Sequence, residues 1–122
     1  MKNFKEIAKA QTTLSEVMNN KEKVTNEYLI SEYPNGFTIT NFDFIRSNKD
    51  NGRYAVYNIA ENTNIFASAG TVLNRIFEDF VEEYNGNVYA ASNGLKEYGG
   101  ITVKLSHGHT RKGKNVILVD IL

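Results

Sequence analysis

At 122 residues the chain has room for one hydrophobic core and not for two. Hydrophobic residues at 41% and charged residues at 23% exclude intrinsic disorder, and the absence of cysteine excludes disulfides and thiolate metal sites. A formal net charge of zero argues against a highly basic, coat-like nucleic-acid binder without removing it, and any affinity for phosphate must come from local charge separation.

The N-terminal segment holds charges at short intervals and no long apolar run. It reads as neither a signal peptide nor a membrane span, and a cytoplasmic protein is expected. Phe4, Ile7, Ala8, Leu14, Val17 and Met18 recur on one side of a helical wheel, which predicts an amphipathic helix from residue 3 to about residue 20. Thr25 is the expected N-cap of a short helix containing Tyr28, Leu29 and Ile30. Pro34-Asn35-Gly36 stops that helix, because proline lacks an amide donor and Asn-Gly accepts positive φ.

From Gly36 to Arg46 the period changes to two. Phe37 and Ile39 take one face and Thr38 and Thr40 the other. In a strand without a bulge, Phe42, Phe44 and Arg46 then join the threonines on the polar face. Residues 47–52 form a turn with Asp/Asn/Gly chemistry, residues 53–60 a second strand, residues 61–64 a second turn and residues 65–68 a third strand. Val72, Leu73, Ile76, Phe77, Phe80, Val81 and Tyr84 recur at helical spacing after Ala69-Gly70, with Thr71 as the expected N-cap and Asn85-Gly86 as the stop. Residues 87–100 read either as a short strand at Val88-Tyr89-Ala90-Ala91 or as connection. Gly99-Gly100 opens a final hairpin in which Ile101, Val103 and Leu105 face Ile117, Val119 and Ile121.

Three strands, a helix and two strands is the order of an OB-fold, a five-stranded Greek-key barrel with its helix between strands three and four. The expected class is therefore mainly β, a single domain with a helical extension over residues 1–34 and a barrel over residues 35–122. In such a barrel the loops joining strands one and two and strands four and five frame the ligand face. Here the first loop region carries Arg46, Lys49 and Arg53, and the second carries His109, Arg111, Lys112 and Lys114. The predicted helix with Glu78, Asp79, Glu82 and Glu83 is expected away from the groove. Phe42, Phe44, Tyr54, Tyr57 and Phe66 lie on the strands between the loops. Cations that track phosphates and rings that stack on bases are the two parts of a single-strand site.

His107 and His109 supply too few ligands for zinc in a chain without cysteine, and no Ser-His-Asp set, phosphate-cradling loop or zinc-deaminase signature occurs. No metal, cofactor or enzymatic activity is expected.

The stretches Phe37-Thr-Ile-Thr-Asn-Phe-Asp-Phe44, Gly52-Arg-Tyr-Ala-Val-Tyr57, Ala69-Gly-Thr-Val-Leu73 and the Val103–Val119 hairpin carry a resemblance that covers roughly residues 25–122. They resemble small single-stranded DNA-binding proteins of bacteriophages and mobile elements of Gram-positive bacteria. The resemblance implies an OB-fold that coats single strands during replication or recombination without catalysis. DNA against RNA is left open. The acidic C-terminal tail of housekeeping single-strand binders has no counterpart at Val119-Asp-Ile-Leu122, and the N-terminal helix is additional to the minimal fold. Self-association, giving a homo-oligomer, or contact with a partner are the roles left open to that helix. The competing expectation is a protein-interaction module or inhibitor encoded by a phage or mobile element.

Overall fold

The computed structural model describes residues 16–46 and 52–122. The predicted N-terminal helix lies mostly outside them, although residues 16–18 are helical. The fold is mainly β, one six-stranded sheet curled into a half-barrel with helices against it. Its strands are β1 (Glu22–Val24), β2 (Phe37–Arg46), β3 (Arg53–Ile59), β4 (Ile65–Ser68), β5 (Ile101–His109) and β6 (Asn115–Ile121), in the spatial order β1-β4-β3-β2-β5-β6. The helices are α1 (Asn26–Glu32), α2 (Thr71–Glu82) and α3 (Val88–Tyr98). Among the described residues no helix is long and apolar enough to cross a membrane.

Each predicted strand and the two predicted helices after residue 24 are present. Thr25 caps α1 as expected, its Oγ1 accepting from the Tyr28 N–H at 3.1 Å. The cap of α2 is Gly70, not Thr71, and no side chain bonds there. Two elements differ from the sequence reading. β1 pairs in parallel with β4, adding a sixth strand, and residues 88–98 are helical. Asn87 caps α3 through the Ala90 N–H, Ala91, Ser92 and Leu95 are buried on one side, and Gly99 ends it at φ 101°. β1 and α1, which fall in the segment expected as an extension, thus belong to the sheet and to the main core. Leu29 of α1 is fully buried, and Tyr33 meets Phe37 edge-on at 6.2 Å.

β2 is where the faces are set. Its register against β3 shifts between Ile39 and Asn41, so Thr40 is the extra residue of a β-bulge. One inserted residue reverses the side-chain alternation that follows. Phe42 therefore joins Phe37 and Ile39 on the core face, fully buried and stacked on Phe77 of α2 at a ring distance of 4.4 Å. The expectation that Phe42 and Phe44 share the threonine face is overturned by this bulge. β2 meets β5 only over Phe37–Ile39, so the far half of its edge is unpaired with strand. α3 covers that edge, and Ser92 Oγ accepts the buried Phe42 N–H at 3.1 Å. Gly100 admits this crossing: at φ +89° its Cα lies so close to the Ile39 carbonyl that a Cβ would sit 2.5 Å from the oxygen.

A second, smaller core lies on the opposite face, where Val17, Val56 and Phe66 are buried beneath Met18, Ile45 and Tyr54. Asn58 is the buried polar link there. Its Nδ2 donates to the carbonyls of Val17 and Ile65 and its Oδ1 accepts from Asn41 Nδ2, so every lone donor is used.

With Ser68, whose Oγ is also buried without a partner among the described residues, Tyr57 is an exception. Its ring stacks parallel to Phe37 in the main core, yet among the described residues its hydroxyl has no hydrogen-bond partner. Burial drives its ionisation far upward, so the phenol stays neutral. A buried unpaired hydroxyl costs stability that an isosteric apolar ring does not. Tyr57→Phe is expected to stabilise the fold by about 1 kcal/mol, read as a rise in thermal midpoint. A fall in midpoint would mean that the hydroxyl has a partner.

Candidate functional site

The β5–β6 hairpin ends in a self-bonded turn. The Thr110 N–H donates to the Lys114 carbonyl and the Gly113 N–H to the Thr110 carbonyl, both at 2.9 Å, and Thr110 Oγ1 accepts the Lys114 N–H. Gly113 takes φ +79°, a left-handed position that a side chain would strain. The turn is thus held by its backbone and Thr110, which leaves Arg111, Lys112 and Lys114 exposed and unoccupied by structural work. No described carboxylate lies within ion-pair distance of any of the three. His109, at the end of β5, is exposed beside them.

A cleft of about 650 Å³ opens beside this turn. Lys114–Ile117 and His107 form one wall, Gly70–Val72 at the start of α2 another, and Glu27 of α1 closes it. His107 Nε2 lies 2.8 Å from Glu27 Oε2, which pins α1 to β5. Sequence reasoning missed Glu27, because its partner is eighty positions away and neither residue carries a motif.

The other expected rim is different in character. Arg53 pairs across the β2–β3 ladder with exposed Arg46, but its guanidinium is occupied. Its Nε lies 3.2 Å from both carboxylate oxygens of Glu78, and its Cζ sits 4.2 Å over the Phe44 ring. The acidic helix α2 therefore reaches this rim instead of lying away from it, and Arg46 is left as its free described cation. Lys49 lies outside the described residues.

The expected stacking rings are mostly inside. Phe42 and Tyr57 are fully buried and Phe66 is buried in the second core, so none of the three is available to a base. Tyr54 is half-buried against that second core, and Phe44 is half-buried beneath Arg53. Among the described residues, the ring that stands freest is one the sequence reading did not single out. Tyr98, at the last position of α3, is 87% exposed. Its visibility depended on recognising α3, whose signals were Asn87 as cap and Gly99 as stop.

Asp43 lies on the face of β2 that carries the second core, opposite Val56. Burial raises its carboxyl above the ordinary aspartate range, opposed by the Phe44 N–H that its Oδ1 accepts at 2.7 Å and by Arg53. A raised acid binds its proton more tightly in the folded chain, so folding stability is greatest below the unfolded aspartate value and declines as pH rises through the folded one. Asp43→Asn keeps an acceptor for the Phe44 amide and removes that decline. The variant is expected to melt higher than the parent near pH 7, with the difference vanishing by about pH 3. A difference independent of pH would assign the effect to something other than this carboxyl.

Among the described residues no three His, Asp or Glu side chains converge as metal ligands. Comparison with protein-family models, with curated proteins and with solved structures finds no match to this chain.

Proposed function

We propose that the chain binds single-stranded nucleic acid, DNA in the first instance, without sequence preference and without catalysis, in replication or recombination of a phage or mobile element. The observation that carries this reading is the hairpin turn: Arg111, Lys112 and Lys114 stand on a hydrogen-bonded turn, exposed, and without an acidic partner among the described residues. Cations so presented track a phosphate backbone by displacing condensed counterions. The strand order β5-β2-β3-β4 supports an OB-type barrel, since three consecutive antiparallel strands with a fourth returning beside the first form a Greek key. The resemblance of the strand and hairpin sequences to phage single-strand binders points the same way.

In this reading phosphate contacts lead and base stacking is secondary, because Phe42, Tyr57 and Phe66 belong to the cores. The hairpin turn forms the main contact, and Arg46, His109, Phe44 and Tyr54 are peripheral. The test is a fluorescence-anisotropy titration of labelled oligo-dT between about 50 and 200 mM salt. Binding that weakens with a log–log slope of about two or more is the expected result, since each neutralised phosphate on a single strand contributes about 0.7. No binding at tens of micromolar protein in low salt, or an affinity indifferent to salt, refutes the proposal.

A further inference from the structure

β6 is an edge strand that neither proline nor a bulge protects, and the start of α2 faces its first residues only across the open cleft. It pairs with β5 in unbroken register from Asn115 to Ile121 and has no strand on its other side. Its sequence, Asn-Val-Ile-Leu-Val-Asp-Ile, contains no proline, and the register contains no bulge. Strands of this kind recruit another strand. The Leu122 N–H donates to the Thr102 carbonyl, so the even-numbered residues of β6 direct their backbone toward β5. By alternation, Asn115, Ile117, Val119 and Ile121 direct theirs outward. Among the described residues nothing bonds to those outward groups.

Side chains alternate as well. Ile117 and Val119 pack on the main core, whereas Lys114, Val116, Leu118 and Asp120 line the outer face, Leu118 46% exposed and both charged residues exposed. Lys114 and Asp120 have no ion-pair partner within the chain's described residues, although Asp120 stands across from Lys104 in the ladder.

We infer that the occupant of this edge is a second copy of the same chain, paired antiparallel through β6 about a two-fold axis at Ile117. The register follows from charge. With Ile117 opposite itself, Lys114 faces Asp120 of the second copy, and Val116 faces Leu118 of the second copy. Both pairs recur by symmetry on the outer face. These are the non-hydrogen-bonded positions of the new ladder, where side chains approach most closely. Centring on Leu118 instead, the next register that keeps the outward amides opposed, sets Asp120 against Val116. The half-barrels of the two copies then share one continuous sheet of twelve strands, six from each.

The experiment is sedimentation equilibrium on the full chain over a range of concentrations. The parent is expected to pass from monomer to a limiting dimer. Lys114→Asp alone, and Asp120→Lys alone, each turn two attractions into two repulsions and should weaken the dimer at least about tenfold. The double exchange, Lys114→Asp with Asp120→Lys, restores the pairs in reversed sense and should return the dimer to within about threefold of the parent. Asn115→Pro gives an independent reading. It removes an outward N–H at the first residue of the strand, leaves the β5 ladder intact, and should also weaken the dimer at least about tenfold. A parent that stays monomeric, including one that takes up a foreign strand instead, overturns the inference. So does a dimer indifferent to the single exchanges or to Asn115→Pro, open-ended association with no limiting dimer, or failure of the double exchange to restore.

Discussion

Phe42→Ala is expected to destabilise the fold by about 3–5 kcal/mol, the largest effect of any single substitution considered. The ring is fully buried, stacks on Phe77 at 4.4 Å and meets Phe44 and Phe80 edge-on at 6.0 and 6.1 Å. Truncation removes its transfer energy and leaves a cavity among three aromatic neighbours that relax only in part. Against a typical total stability of about 5–15 kcal/mol, the loss brings the chain close to unfolding. Urea denaturation reads it as a large drop in midpoint with an unchanged slope. The sequence reading placed the same residue at a nucleic-acid surface, and the two roles separate cleanly. A structural Phe42 loses stability but keeps the salt slope of binding wherever the variant is still folded. A variant as stable as the parent that no longer binds oligo-dT would return the ring to the ligand face.

That reversal shows where the sequence was legible and where it was not. The strand itself was plain, and so was its start. The bulge was present as a phase slip, apolar residues at 37 and 39 and then at 42 and 44, which strict alternation does not allow. Reading the second pair as exposed was the simpler account, because a strand rich in Thr and Asn has no turn residue to mark an insertion. Ser92, which satisfies the freed Phe42 amide, lies fifty positions away and cannot be paired with it from the chain alone.

α3 was hidden for a different reason. Val88 and Tyr89 favour strands, and Asn93 and Gly94 disfavour helix, so local preference opposed the outcome. Packing against the open edge of β2 decided it, with Ala91 and Leu95 as the buried positions. β1 is three residues long, too short for any periodicity, and owes its existence to the unpaired edge of β4.

At the site, the hairpin cations were legible because a tight turn cannot bury them. The Arg53–Glu78 pair was not, since it depends on how α2 lies across β3. Charge sorting along the sequence thus overstated one rim, whereas at the other the structure leaves the cations exposed.

Arg111→Ala, Lys112→Ala and Lys114→Ala together are expected to reduce the log–log salt slope of oligo-dT binding by about two, three contacts at about 0.7 each. Folding should be unaffected within about 0.5 kcal/mol, because the turn is held by Thr110 and by backbone bonds that none of the three side chains makes. An unchanged slope removes the hairpin from the interface. Arg53→Ala is the contrasting case. Its charge is already neutralised by Glu78 and its guanidinium covers Phe44, so it should lower stability with little change in slope. Lys114 also faces Asp120 of the second copy in the β6 ladder, and its removal alters association as well as charge. The double variant Arg111→Ala with Lys112→Ala isolates the tip. It should lose a slope of about 1.4 while its monomer–dimer equilibrium stays that of the parent. A double variant that changes association but not slope would reverse the assignment, making the turn part of the protein interface and leaving the nucleic acid without its principal contact.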